Sequence, residues 1–436
     1  MRLSARSWLG TLFAGLLAFV SPRSARADLS PGVARLVEYE TQANAIAPRS
    51  GKRQAIEHYE IPLSIVEQDV AERFPAEIRS ALIFEREGQR YIRWIINPED
   101  GYWHPKVKAL LEAKGLSAER KTYFHGYATA SRSYIIEDPV SGAEFSVKVS
   151  TDRTGGIWTT DGRGVPNKNQ TYEDARQVRR MADHFHAVAP DVASNVIIMD
   201  EPAAFGLLEI DQAMLIRRLG GLERRKGRYF LPGFAALHEK VGAEIAKRHG
   251  GGMGPSEYWK IHYSEALGRA LAEIAARLGV SPDSLHSQNF LIELDESLKP
   301  TGRIVLRDLG DYELLRPWFE ARGQLAFLSG WPESSIRKEF VSVAYKLLHG
   351  TKYPPWMERK DYRDWAEAFF RAWEGTYSQR TGVPLADLQK TMMTDQIVVF
   401  SKYYMTSSPG WKKFFERLAT QAPSTTSCAS ILGVAI

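Results

Sequence analysis

Lys148, Glu201, the run His286-Ser287-Gln288-Asn289 and the pair Arg307-Asp308 are the residues of this chain whose types and order could carry chemistry. Asn289 and Asp308 stand on either side of a segment that reads as a short β-hairpin, so two oxygen ligands meet at its mouth. Mg²⁺ takes few protein carboxylates and fills the rest of its shell with phosphate oxygens and water, which suits such a pair. Lys148, in the middle of an earlier strand, is placed to neutralise phosphate charge. Taken one at a time, these are ordinary residues: a solvated strand lysine, a helix-terminal histidine, a turn aspartate. Their order and spacing together point to a cleft that holds a magnesium polyphosphate.

The elements that must position these groups are legible from residue patterning. Residues 89–97 have the β-branched and aromatic content of a strand. Residues 105–114 read as a helix entered at Pro105 and closed by Gly115. Residues 133–138 and 144–150 form a hairpin around Pro139-Val140-Ser141-Gly142. In its second strand Phe145, Val147 and Val149 alternate with Glu144, Ser146, Lys148 and Ser150, which puts Lys148 on a polar face. A Gly- and Asn-containing loop over 155–170 leads into a helix over 172–188, and residues 195–199 read as an apolar strand. Residues 256–278 predict a long helix, with Tyr263, Leu267, Ala270, Ile274 and Leu278 on one face and Gly279 just past its end. Strands over 290–294 and 303–306 build the second hairpin. Residues 28–88 read as helical segments, and the Trp-rich region beyond residue 315 as mostly helical. The fold class expected is α+β, in one body without internal repeats.

The stretch 285–311, LHSQNFLIELDESLKPTGRIVLRDLGD, resembles the H-x-Q-N…R-D-x-x-G signature of the NRPS-independent siderophore synthetases, the aerobactin-synthetase-like (IucA/IucC) family. Ala130-Ser-Arg-Ser-Tyr134 is similar to that family's S-x-R-T segment, with Val147-Lys148-Val149 following at strand distance. Asp200-Glu-Pro-Ala-Ala204, Ala213-Met-Leu-Ile-Arg-Arg218 and the Pro232 to Leu237 segment continue the similarity, which is collinear from about residue 100 to 315. The resemblance implies a fingers–palm–thumb fold, distantly kinase-like, with a helical C-terminal region. Its parts would be an N-terminal helical/β subdomain over 28–120, β-rich fingers over 121–200, a palm over 201–315 and a thumb over 316–436.

The resemblance also implies ATP and Mg²⁺ as cofactors and a reaction in which a carboxylate is adenylated and its acyl group passed to an amine or hydroxyl. Small carboxylate and amine or hydroxyl substrates are then the expected partners. By position, Ser131, Arg132, Lys148, Thr151 and Arg153 would contact phosphates, His286 would face the α-phosphate or the reacting carboxylate, and Gln288, Asn289 and Asp308 would hold nucleotide or metal. Fixed cations at a phosphate that gains charge lower the barrier to adenylation. This chain departs from the family pattern at Ser284, where an acid is usual, and in the compressed turn Ser150-Thr-Asp-Arg-Thr154. Two further activities remain open from the residues: a secreted kinase-like phosphotransferase using the same cleft, and a non-catalytic binder of polycarboxylates or nucleotides.

Composition narrows the setting. The chain has 436 residues, 44% hydrophobic and 25% charged, with a formal net charge of +5. A mean hydropathy of −0.31 excludes a multi-span membrane protein. The basic balance invites a nucleic-acid partner, but Arg2, Arg6, Arg23 and Arg26 supply four of those charges within residues 1–27, which contain no acid. The same segment has an apolar run from Trp8 to Val20, shorter than the ~20 residues of a membrane-spanning helix, and ends in Ala25-Arg-Ala27. It reads as a signal peptide cleaved after Ala27, giving an exported, periplasmic or secreted protein with no anchor and no basic surface for nucleic acid. Cys428 is the one cysteine, which excludes an intramolecular disulfide and a Cys-ligated zinc. His184 and His186 are two apart, a spacing that faces different sides of a helix, so they make no zinc motif. The Gly250-Gly-Gly-Met-Gly254 run lacks the Lys-Ser/Thr of a P-loop and reads as a linker.

Overall fold

The computed structural model describes residues 29–385 apart from 45–48, 130–131, 153–167, 189–194, 223–226, 283–284 and 338–353. Ten strands are built before residue 218: β1 (Gln54–Pro62), β2 (Glu67–Val70), β3 (Ile83–Arg86), β4 (Gln89–Ile95), β5 (Lys121–Ala128), β6 (Ser133–Glu137), β7 (Glu144–Val149), β8 (Val196–Ile198), β9 (Ala203–Leu207) and β10 (Gln212–Arg217). Nine of them form one antiparallel sheet in the order β2-β9-β10-β7-β6-β5-β1-β4-β3. Strands β11 (Tyr229–Pro232), β12 (Val280–Pro282), β13 (Phe290–Leu294), β14 (Pro300–Leu306), β15 (Tyr312–Leu315) and β16 (Ile336–Arg337) follow. A four-stranded sheet runs β11-β13-β14-β8, with β8 parallel to β14, and a three-stranded one runs β12-β15-β16.

Both hairpins expected from the sequence are present, as β6–β7 and β13–β14. Residues 28–88 differ from expectation. Among the described residues Pro31–Thr41 and Ala76–Leu82 are α-helical there, Leu63–Ile65 is a single 3-10 turn, and β1, β2 and β3 come from the same span. Ile56, Tyr59 and Ile61 of β1 are fully buried between β4 and β5, strands that lie far off in sequence. Pairing with distant strands decided that segment over its local pattern. The helix expected over 256–278 is interrupted: Pro255–Trp259 and Ala266–Leu278 are α-helical, and Lys260–Glu265 between them is a π turn. A π turn inserts a residue into the helical phase. Here Tyr263 lies within it, edge-on to Phe290 at 5.0 Å and beside Trp365 at 5.5 Å.

Strand alternation assigns the two faces of the large sheet. Phe145, Val147 and Val149 of β7, Tyr134 and Ile136 of β6, and Met214 and Ile216 of β10 enter one core. Their alternates Ser133, Ile135, Ser146, Lys148 and Arg217 face the opposite side, toward the β13–β14 hairpin. The Pro31–Thr41 helix spans the join. Its Val33, Leu36 and Val37 pack on Tyr127 and Ile135 of the large sheet and on Phe230, Leu291 and Val305 of the small one.

The larger core packs helices against the four-stranded sheet, with Ala266–Leu278 lying along Arg359–Thr381. Gly279 ends the first of these at φ 64°, and a Cβ there would meet Trp318 at 2.5 Å. Gly268 lets the helices touch, since a Cβ on it would lie 2.3 Å from the Phe369 carbonyl oxygen. Replacing Gly268 by Ala forces the helices apart, an overpacking cost of about 1–3 kcal/mol. Chemical denaturation of Gly268→Ala is expected to show that loss, and unchanged stability would mean the crossing is loose.

Candidate functional site

A cavity of about 460 Å³ lies between the polar face of the large sheet and the mouth of the β13–β14 hairpin. The hairpin is closed by Phe290 opposite Leu306 and by the Arg307 amide donating to the Asn289 carbonyl at 3.1 Å. That register holds His286, Gln288 and Asn289 on one side of the mouth and Arg307, Asp308, Gly310 and Asp311 on the other, all lining the cavity. Asp308 adopts φ 61°, in the left-handed region that Asp and Asn tolerate better than most residues.

Charges alternate across this cavity. The Lys148 ammonium donates to Asp308 Oδ1 at 2.6 Å, joining the two sheets. Arg217 Nη2 lies 3.8 Å from the same oxygen, and Arg217 Nε donates to Glu201 Oε1 at 2.7 Å. Glu201 is wholly buried, and its other oxygen accepts from the Leu309 amide at 3.4 Å. Burial pushes the Asp308 carboxyl up, but Lys148, Arg217 and Arg132 outweigh it and hold the group well below the usual carboxylate range. Burial lowers the Lys148 ammonium, with Asp308 opposing and Arg132 and Arg217 adding to the fall. Arg217 is held above its ordinary value because Glu201 and Asp308 outweigh its burial. Arg132 and Lys168 are both lowered, chiefly by burial.

Arg132 donates through Nη1 to the Asn169 carbonyl, while its buried Nε has no hydrogen-bond partner among the described residues. A buried guanidinium N–H without an acceptor is costly, and it lines a cavity that three further cations, Lys148, Lys168 and Arg217, also line. The donor set suits a polyphosphate. A metal fits more narrowly. Among the described residues no group of three or more His, Cys, Asp or Glu side chains could cage an ion by itself. Asp308, whose contacts from Lys148 and Arg217 both fall on Oδ1, and Asn289 across the hairpin mouth match an ion that takes its remaining ligands from phosphate and water.

Of the residues singled out by sequence, Arg132, Lys148, His286, Gln288, Asn289 and Asp308 line this one cavity. The Gln288 amide donates to His286 Nδ1 at 3.3 Å, which leaves the neutral ring's proton on Nε2. The Gln288 carbonyl accepts from Arg307 Nε at 2.8 Å and Nη2 at 2.6 Å. Thr151 is fully buried, its amide bonded to the Lys168 carbonyl at 3.0 Å, and it is not among the cavity-lining residues. Ser131, Arg153, Ser284 and the 1–27 segment lie outside the described residues. Sequence reasoning missed Glu40, Lys168, Asp174 and Asp311, and it read Arg217 only within the Ala213–Arg218 segment of the resemblance, with no role at the site. Arg217 was discoverable, because it continues the alternation of Met214 and Ile216 onto the face that carries Lys148. Glu40 had no such signal.

No protein-family model and no curated protein sequence matches the chain. Solved structures do. The petrobactin biosynthesis protein AsbB from Bacillus anthracis superposes with a TM-score of 0.52 at 12% identity, over 88% of this chain and 71% of AsbB. The fold is shared with AsbB. ATP-bound aerobactin synthetase IucA from Klebsiella pneumoniae gives 0.46 at 12% identity, over 79% of this chain and 62% of its own. Aerobactin synthetase IucC from the same organism gives 0.44 at 13% identity, over 87% and 67%. The chain therefore spans between 62% and 71% of the lengths of these proteins. At such identities the likeness concerns the α+β fold, and AsbB carries it.

The charge pattern makes the two partners of the central pair unequal. Removing Asp308 leaves Lys148 beside Arg132 and Arg217, whereas removing Lys148 leaves Asp308 with two cations. Stripping one partner from a fully buried pair costs about 3–5 kcal/mol when nothing replaces it; here 13% of the Lys148 and 26% of the Asp308 side chain stay exposed, which lessens the cost. Asp308→Ala is expected to lose less than that and Lys148→Ala less still, read by urea denaturation at pH 7. Equal losses would show that the neighbouring arginines do not share in the pair. A carboxylate held low in the fold stabilises above its unfolded value near pH 4 and loses that contribution as pH falls further. The gap between wild type and Asp308→Ala should therefore shrink below pH 4.

Proposed function

We propose that the chain is an ATP-dependent ligase that activates a small carboxylate, with Mg²⁺, by adenylation and transfers the acyl group to an amine or hydroxyl. The observation that carries this reading is the Lys148–Asp308 pair, set among Arg132, Lys168 and Arg217 opposite His286, Gln288 and Asn289 in one cavity. The fold shared with AsbB, a petrobactin biosynthesis protein, supports the reaction class. The H-x-Q-N and R-D segments that resemble the siderophore synthetases are the ones that form the hairpin mouth.

In this reading the carboxylate oxygen attacks the α-phosphorus of ATP and pyrophosphate leaves. The amine or hydroxyl then displaces AMP from the mixed anhydride and gives up its proton. Arg132, Lys148 and Lys168 bind the phosphate oxygens and stabilise the charge that builds on the leaving pyrophosphate. His286, with its proton on Nε2, faces the α-phosphate or the reacting carboxylate. Asp308 and Asn289 would hold Mg²⁺, which supplies positive charge between phosphate oxygens. The Lys148–Asp308 contact joins the two groups that must then engage phosphate and metal. Ligand entry therefore exchanges their mutual bond for bonds to the nucleotide. The 1–27 segment directs export in this proposal, and the mature chain begins at Asp28.

Incubating the mature protein with Mg-ATP, polycarboxylates and amines is expected to release AMP and pyrophosphate. ADP in their place would assign the cleft to a phosphotransferase. Absence of turnover together with absence of any ATP-induced thermal shift would refute both. Lys148→Met should lower kcat/KM about 10²–10³-fold, the scale of removing one positioned charge stabiliser, and unchanged activity would remove Lys148 from the site.

A further inference from the structure

The cavity is lined by two kinds of group. Arg132, Lys148, Lys168, Arg217 and Asp308 make part of the lining strongly charged. Leu36, Ile135, Met199 and Leu219, side chains that belong to the apolar cluster under the Pro31–Thr41 helix, make another part of it. Glu40 lines the cavity too, one helical turn after Leu36 and therefore on the same face. It is fully buried. Its Oε1 accepts from Arg307 Nη1, and its Oε2 has no hydrogen-bond partner among the described residues. Arg307 is in turn fixed on the Gln288 carbonyl through its other nitrogens.

A carboxylate oxygen buried without a donor costs the desolvation of that group, and native structures retain such an atom where something else supplies the proton. Arg307 already neutralises most of the Glu40 charge, so the missing partner is a neutral O–H or N–H rather than a second cation. Leu36, one turn before Glu40, and Ile135, Met199 and Leu219 give the same cavity apolar surface. A polyphosphate bound among the cations has the nucleoside attached to it, and the nucleoside offers flat apolar faces together with hydroxyl and amino donors.

We infer that Glu40, with Leu36, Ile135, Met199 and Leu219, forms the nucleoside-selecting part of the cavity, and that Glu40 Oε2 accepts a hydrogen bond from the ribose or the base. The inference rests on the reading of the cavity as an ATP site. It makes the N-terminal helix part of that site, although nothing in the helix sequence marks it as such. Glu40 is a specificity residue here and takes no part in bond making.

The test is direct binding by calorimetry, with Mg²⁺, of ATP, tripolyphosphate, 2′-deoxyATP and inosine triphosphate to the full mature chain and to Glu40→Gln. Glutamine keeps an oxygen for Arg307 and turns the second position from acceptor into donor. Wild type should bind ATP at least tenfold more tightly than tripolyphosphate. It should lose about tenfold on 2′-deoxyATP if the ribose is the donor, or on inosine triphosphate if the base amino group is. Glu40→Gln should weaken ATP about tenfold and leave tripolyphosphate unchanged. Equal effects on both ligands, or none, would overturn the inference while leaving the ATP reading intact. Failure of wild type to bind either ligand would overturn both. Should Glu40→Gln not fold, the wild-type series decides alone, and ATP, 2′-deoxyATP and inosine triphosphate binding equally would refute the assignment.

Discussion

The Lys148–Asp308 ion pair is the contact on which the arrangement of this cleft depends, because it is made between a strand of the nine-stranded sheet and the end of a hairpin in the four-stranded one. Two charges withdrawn from water are stable together only when further partners offset their desolvation. The structure supplies them in alternation. Arg217 approaches Asp308 and is itself bonded to buried Glu201, whose second oxygen takes the Leu309 amide. Across the hairpin, Arg307 is held between Glu40 and the Gln288 carbonyl. Each of these ionic groups is placed by another.

That arrangement carries a functional bias. Within the network the described carboxylates are largely matched to arginines or to Lys148, whereas Arg132 Nε and Glu40 Oε2, on two residues lining the same cavity, have no hydrogen-bond partner among the described residues. One lacks an acceptor and the other a donor. On the proposed reading a nucleoside polyphosphate would satisfy both at once. The net charge of the chain says nothing about this, because the positive charge that matters is concentrated within a few ångströms of the β7–β10 face.

Legibility followed element type. The hairpins β6–β7 and β13–β14 were readable because each is local, with alternating apolar residues and a turn between them, and both site-bearing segments sit on these hairpins. The face that Lys148 occupies followed from strand periodicity for the same reason. Segment 54–70 was not readable, because β1 and β2 owe their form to partners in β4, β5 and β9. Thr151 lay close to Lys148 in sequence, yet its amide pairs with Lys168 and its side chain is buried. Proximity along a strand end does not set direction once the chain leaves the sheet.

By itself the sequence determined the chemistry available to this protein: a strand lysine, an H-x-Q-N run and an R-D pair, with the alternation that turns the lysine to a polar face. These depend on side-chain identity and on periods of two residues, both written locally in the chain. Only the tertiary structure decided which charges meet. The left-handed turn at Asp308 brings its carboxylate to Lys148, the β10 register brings Arg217 beside them, and the Pro31–Thr41 helix brings Glu40 to the same cavity. Those encounters join residues between 69 and 267 positions apart. They are set by sheet pairing and core packing, which no local pattern records.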